Sequence, residues 1–103
     1  MDQLFYSSFS DIIGESFLVQ IDSAETISAE LIEATDHTVA ANKNANRQEC
    51  FSILFRGPLE KPVDQGTYTF NHRRFGNITL FIVPVGMDDK GRHYEAVVNR
   101  LSA

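Results

Sequence analysis

The stretch ITLFIVPV, residues 78–85, is apolar at almost every consecutive position, and that limits what the chain can become. A half-wetted strand alternates apolar with polar residues, and an amphipathic helix gathers its apolar residues into one stripe. A run this short, rich in β-branched residues and ended by Pro84 and Gly86, reads instead as a strand covered on both faces. One face belongs to a core. The other calls for a second sheet, a helix, another subunit or a partner.

The neighbouring segments supply hairpins on both sides. Opposed residues of an antiparallel pair share a face, and their numbers have a constant sum. Pairing Phe70 with Leu80 sets Tyr68 against Ile82 and His72 against Ile78, joined by RRFGN over residues 73–77. Pairing Ile82 with Ala96 sets Leu80 against Val98 and Pro84 against Tyr94, across a loop built on Gly86, Asp88, Asp89 and Gly91. Both hairpins give one core face: Tyr68, Phe70, Leu80, Ile82, Ala96 and Val98. The opposite face, Thr69, Thr79, Phe81, Val83, Glu95 and Val97, is mixed rather than polar.

Upstream, Phe5, Phe9 and Ile12 recur at helical spacing, with Asp2 as N-cap and Gly14 as stop, which predicts a short helix. From Ser16 the period changes to two, and Phe17, Val19, Ile21, then Ile27, Ala29 and Leu31 predict a hairpin around Asp22 to Thr26. Beyond Leu31 the apolar positions move to Ile32 and Ala34, so this strand bulges or shows a second apolar face. AANKNANRQE, residues 40–49, has no apolar period and reads as a flexible loop. CFSILF resumes the alternation with Phe51, Ile53 and Phe55. RGPLEKPVDQG, with two prolines and two glycines, is a second long connection.

A length of 103 residues suits one domain, and a hydrophobic fraction of 43% is ample for one core. The predicted fold is mainly β: a single small antiparallel barrel or sandwich of about six strands with a short N-terminal helix. Nine basic residues against 14 acidic ones leave a charge of −5, which repels polyanions, so neither nucleic acid nor an anionic membrane is expected as a partner. One cysteine, Cys50, cannot form an internal disulfide. MDQLFYSSFSDIIG carries acidic residues where a secretory leader carries basic ones, and the expected location is the cytoplasm.

The loudest chemical motif is FNHRRFG, Phe70 to Gly76. His72, Arg73 and Arg74 could clamp an anion, since guanidinium forks suit carboxylates and phosphates. The hairpin, however, puts both arginines on a solvated tip, and Phe75 either tucks under the turn or stands out as an anchor for a partner. Cys50 with His72 or His93 could form a nucleophile and base, but no turn that activates a thiol surrounds it, and Cys50 is expected to be a small buried hydrophobe at the head of its strand. His37, His72 and His93 lack zinc-ligand spacing. MDDKG lacks the ligand alternation of a calcium loop, and NIT matches the N-glycosylation pattern by chance. No catalytic residue, cofactor or metal ligand is assigned.

FSILFRGP, QGTYTFNH, GNITLFIVPVG and YEAVVNR, taken in order, resemble a small bacterial all-β domain family of unknown function. Its pattern is Phe-Ser-Leu-x-Phe-x-Gly-Pro, Gln-Gly-x-Tyr, a His, a Gly before Leu-Phe-x-x-Pro-Val, and Tyr-Glu-Ala-Val-Phe-Asn-Arg. Val98 stands where that pattern has Phe. The resemblance covers the second half of the chain, and the first half only at Gly14 to Phe17. It implies a β fold and a bacterial or bacteriophage-like source, with a loose link to tail-like structural genes. It brings no reaction. Its polar members Gln65, Glu95, Asn99 and Arg100 imply loop-fixing roles.

The leading functional expectation is a non-enzymatic interaction or structural module, part of a homo-oligomer or a larger assembly, with protein (self or another subunit) as partner. Its contact residues would be Phe75, Phe81, Val83, Val97, Arg73 and Arg74. The alternative is a small-molecule-binding barrel using Tyr68, His72, Tyr94 and Arg100 at its mouth or beneath loops 37–49 and 57–66. A thiol-dependent enzyme ranks third.

Overall fold

The computed structural model describes residues 6–37 and 47–102. One short helix, α1 (Tyr6–Ser10), precedes six strands: β1 (Ser16–Gln20), β2 (Thr26–Asp36), β3 (Arg47–Gly57), β4 (Gly66–His72), β5 (Gly76–Asp88) and β6 (Gly91–Ser102). They close into an antiparallel barrel in the order β1-β2-β3-β6-β5-β4, with β4 returning to β1. The barrel alternative of the sequence reading is the observed one. Closure removes the lateral edges an open sheet would present.

The core is built largely of phenylalanine. Phe17, Phe51, Phe55 and Phe70 fill the interior with Val19, Leu31 and Ile53, all essentially without solvent contact. Phe17 meets Phe55 and Phe70 edge-on, at centroid distances of 5.2 and 6.2 Å. Phe9 of α1 caps one end, packing on Phe51, Phe17 and Phe75. Gly14 ends the helical segment at φ 98°, a conformation that favours glycine. Its N–H donates to the Leu31 carbonyl and the Leu31 N–H donates to the Glu15 carbonyl, which ties the helix exit to β2. The proposed cap at Asp2, and Phe5, lie outside the described residues.

The hairpins test the registers. The β5–β6 ladder contains Ile82–Ala96 and Pro84–Tyr94 as expected, then bulges between Pro84 and Gly86. Gly86 therefore lies within β5, and the turn shrinks to Asp88–Gly91. The expected Leu80–Val98 pair is not part of the ladder among the described residues, which starts at Ile82–Ala96. In the β4–β5 hairpin the register is Tyr68–Leu80, Phe70–Ile78 and His72–Gly76. That is a shift of two residues from the sequence reading. The reason is a tighter turn: the Phe75 N–H bonds the His72 carbonyl, Phe75 tucks beneath, and Gly76 takes φ 71°. A shift of two preserves which face each residue shares, so Phe70, Leu80, Ile82 and Ala96 are buried, with Tyr68 and Val98 packed against them.

The bulge after Leu31 is present, between Leu31 and Glu33. Strand β3 begins at Arg47 and pairs with β6 from there, so the end of the expected 40–49 loop is strand; residues 38–46 lie outside the described residues. Cys50 lies inside β3 opposite Asn99, half-buried and not in a disulfide, rather than buried at a strand head.

Candidate functional site

Ile82 and Ala96 point inward, so their chain neighbours face out. Phe81 and Val97 flank that last rung of the β5–β6 ladder and are 51% and 56% exposed. One rung further along, Val83 lies opposite Glu95, and Glu95 lies opposite Leu54 of β3. Val83, Glu95 and Leu54 are half-buried. The result is an apolar patch on the outside of a closed barrel, interrupted by the Glu95 carboxylate and by Thr67 and Ser52, which lie opposite Phe81 and Val97. Val85 and Met87 are also exposed, but past the bulge Met87 pairs with Arg92, on the face that Pro84 and Tyr94 share, and does not extend the patch.

The other expected contact residues do not join this patch. Arg73 and Arg74 are exposed in the β4–β5 turn, five residues of strand away from Phe81, roughly 17 Å. Phe75 is buried, stacked on Phe9 at 4.8 Å. Of its two sequence readings the tuck under the turn is observed, and its ring is not offered to a partner on this surface.

Of the four expected ligand residues, Tyr68 and Tyr94 come together, whereas His72 and Arg100 lie elsewhere. Tyr68 and Tyr94 hold the connection between β3 and β4. The Tyr94 hydroxyl accepts the Val63 N–H at 3.0 Å, and the Tyr68 hydroxyl donates to the Asp64 carbonyl at 2.8 Å. Val63 is itself buried in the core. These hydroxyls thus fasten a proline-containing loop over the barrel end. His72 sits at the other end of β4, and Arg100 pairs through its backbone with Glu49, its side chain outside the described part.

His72 is 5% exposed and packs tilted on Phe17, with ring centroids 4.6 Å apart. Its Nε2 lies 2.8 Å from Glu15 Oε1, and its Nδ1 accepts the Arg74 N–H at 3.0 Å. Sequence reasoning missed Glu15, because nothing local marks a carboxylate that meets a histidine 57 positions away. It also missed the Arg56–Glu30 pair at 2.8 Å between β3 and β2, and the His37–Ser52 bond at 2.9 Å. The alternation did place Glu30 and Arg56 on outward faces, a signal that could have found the pair.

A shallow cleft of about 470 Å³ lies between the outer face of β2 and residues 57–61, with Arg56, Lys61 and Lys90 on its walls. Glu30 neutralises Arg56, and Glu25 meets Lys61 at 2.5 Å. That hydrogen bond and charge raise the Lys61 pKa above its ordinary 10.5. Across the β5–β6 turn, His93 Nε2 lies 3.2 Å from Asp88 Oδ2, off the hydrogen-bonding direction. Among the described residues no three His, Cys, Asp or Glu side chains converge as metal ligands, and no helix is long and apolar enough to cross a membrane.

The fold and its outer patch define a small closed β-barrel domain with a filled interior and its apolar excess on the outside. A family model described as a domain of unknown function, DUF6916, matches residues 4–98. The chain belongs to that family. No curated protein and no solved structure matches it.

Proposed function

We propose that this domain is a non-enzymatic protein-interaction module, a subunit of a homo-oligomer or of a larger assembly of the bacteriophage-tail kind, working in the cytoplasm of a bacterium. Its contact face is the outer surface of β5 and β6 around Phe81 and Val97. The observation that carries this reading is the exposure of about half of each of those side chains beside Val83 and Leu54. Large apolar side chains gathered on an otherwise polar surface are what association buries. Phenylalanines occupy the barrel interior, which favours recognition on the outside. The single cysteine suits a reducing compartment.

Sedimentation velocity over a micromolar concentration series tests this. The wild-type chain is expected to associate as concentration rises, and the double variant Phe81→Asp with Val97→Asp to remain a monomer with its fold intact. A wild-type chain that stays monomeric throughout counts against self-association.

A small-molecule reading retains one specific support, the cleft bordered by Arg56, Lys61 and Lys90. Glu30 and Glu60 share its walls with these cations, so metabolites of either charge are its probes, and a ligand at 100 times its dissociation constant would raise stability by about 2.7 kcal/mol. A thermal-shift screen without stabilisation removes it.

A further inference from the structure

Among the described residues three short turns join paired strands, β1–β2, β4–β5 and β5–β6, and two of them use the same device. Asp22 Oδ1 accepts the N–H of Ala24 at 2.8 Å and of Glu25 at 2.9 Å. Asp88 Oδ1 accepts the N–H of Lys90 at 2.7 Å and of Gly91 at 3.1 Å. A side-chain oxygen two and three residues back thus satisfies the turn's donors, as aspartate commonly does. In the β4–β5 turn the equivalent acceptor is an imidazole nitrogen: His72 Nδ1 takes the Arg74 N–H at 3.0 Å. A backbone N–H can only donate, so Nδ1 is unprotonated here and the ring's proton sits on Nε2, directed at Glu15 Oε1. Both ring nitrogens are therefore committed.

An imidazole differs from a carboxylate in one respect that matters. Histidine ordinarily changes charge between about pH 5 and 8, and its charged form has no acceptor. A protonated Nδ1 would face the Arg74 N–H, donor against donor. The charged groups around the ring are Glu15, from the segment before β1, and Arg73 and Arg74 of the turn; β1 offers Phe17, and β5 offers Gly76. The ring also borders a shallow cleft with Ser16, Asn71 and Arg73, which gives protons access. Next to it the Phe75 ring lies 5.8 Å away and stacks on Phe9.

We propose that His72 is a pH-responsive latch on the β4–β5 turn: protonation at Nδ1 releases the Arg74 N–H, and the turn loosens together with Phe75, while the two aspartate turns hold. The inference stands independently of the association patch, which lies further along β5.

Nitrogen-15 NMR of the full chain between about pH 8 and 5 tests it. At the upper end the His72 ring is expected as the Nε2–H tautomer. As the ring protonates, the protection factor of the Arg74 amide should fall about tenfold, the worth of one hydrogen bond. The Phe75 ring resonances should move with the same midpoint, while Ala24 and Lys90 keep their protection. In His72→Asn a non-titrating oxygen can take the Arg74 N–H, and Arg74 protection should be flat with pH. The proposal is overturned if Arg74 stays protected while the ring protonates, if the ring stays neutral until the fold is lost, or if folded His72→Asn loses protection as the wild type does. Should that variant not fold, the wild-type titration decides alone.

Discussion

The rings of Phe9 and Phe75 stack at a centroid distance of 4.8 Å and an angle of 23°, so the N-terminal helix and the β4–β5 turn close the same end of the barrel together. Both rings are buried. Truncating either to alanine is expected to cost about 3–5 kcal/mol. Because each is the other's wall, the double variant should lose less than the sum, by at least about 0.5 kcal/mol. Urea unfolding of the four proteins checks this, and strict additivity would mean that the helix and the turn pack independently.

Two glycines of the β5–β6 hairpin should respond in opposite ways. A Cβ at Gly91 would meet the Gly57 carbonyl oxygen and the Arg56 side chain, a clash with backbone that cannot give way. Gly91→Ala is expected to destabilise by about 1–3 kcal/mol. At Gly86 a Cβ meets nothing within 4 Å and φ is not left-handed, so Gly86→Ala should be neutral, or stabilising by up to about 1 kcal/mol through a less flexible unfolded chain. Thermal melts of both variants give the comparison.

The tyrosine hydroxyls are separable by burial. Tyr94→Phe leaves the Val63 N–H beside the buried ring without its acceptor, an expected loss of about 1–3 kcal/mol. Tyr68→Phe removes an exposed bond to the Asp64 carbonyl and should cost about 0.5 kcal/mol. Limited proteolysis within residues 57–66 should speed up more for the first than for the second.

Asp88 makes stability depend on acid. The Lys90 N–H bond, helped by Gly91, His93 and Arg56 and opposed by desolvation, holds its carboxyl below the ordinary value of 3.8. A folded-state value below the unfolded one means that the contribution is complete above about pH 4 and disappears as pH falls through the folded value. Asp88→Asn keeps an acceptor oxygen and loses the charge. The stability difference between wild type and this variant is therefore expected at neutral pH and should shrink toward pH 3, roughly; a difference constant with pH would contradict the assignment.

Much of the barrel was legible in local patterns. ITLFIVPV announced a strand with two apolar faces, and Ile82–Ala96 came out in the observed register because apolar alternation on both sides of the turn fixes it. The β4–β5 register differs by two from the one alternation predicts, because the Phe75 ring is drawn into the core and shortens the turn. The β3–β6 pairing, the longest ladder, joins segments with no shared turn and leaves no local sign. The site divides in the same way. Phe81, Val83 and Val97 were legible as outward residues because parity alone decides that. His72 and Tyr94 looked like ligand groups because free polar atoms on aromatic rings attract that reading, and only the folded chain brings up the backbone N–H groups and the carboxylate that occupy them.

A nitrogen-15 NMR dilution series asks whether β5 and β6 form the proposed association face. The amide signals of Phe81, Val83, Glu95 and Val97 are expected to shift and broaden together as concentration rises, while those of the Leu18 and Ile13 surfaces stay fixed. Spectra that do not change with concentration, or changes confined to Leu18 and Ile13, would contradict it.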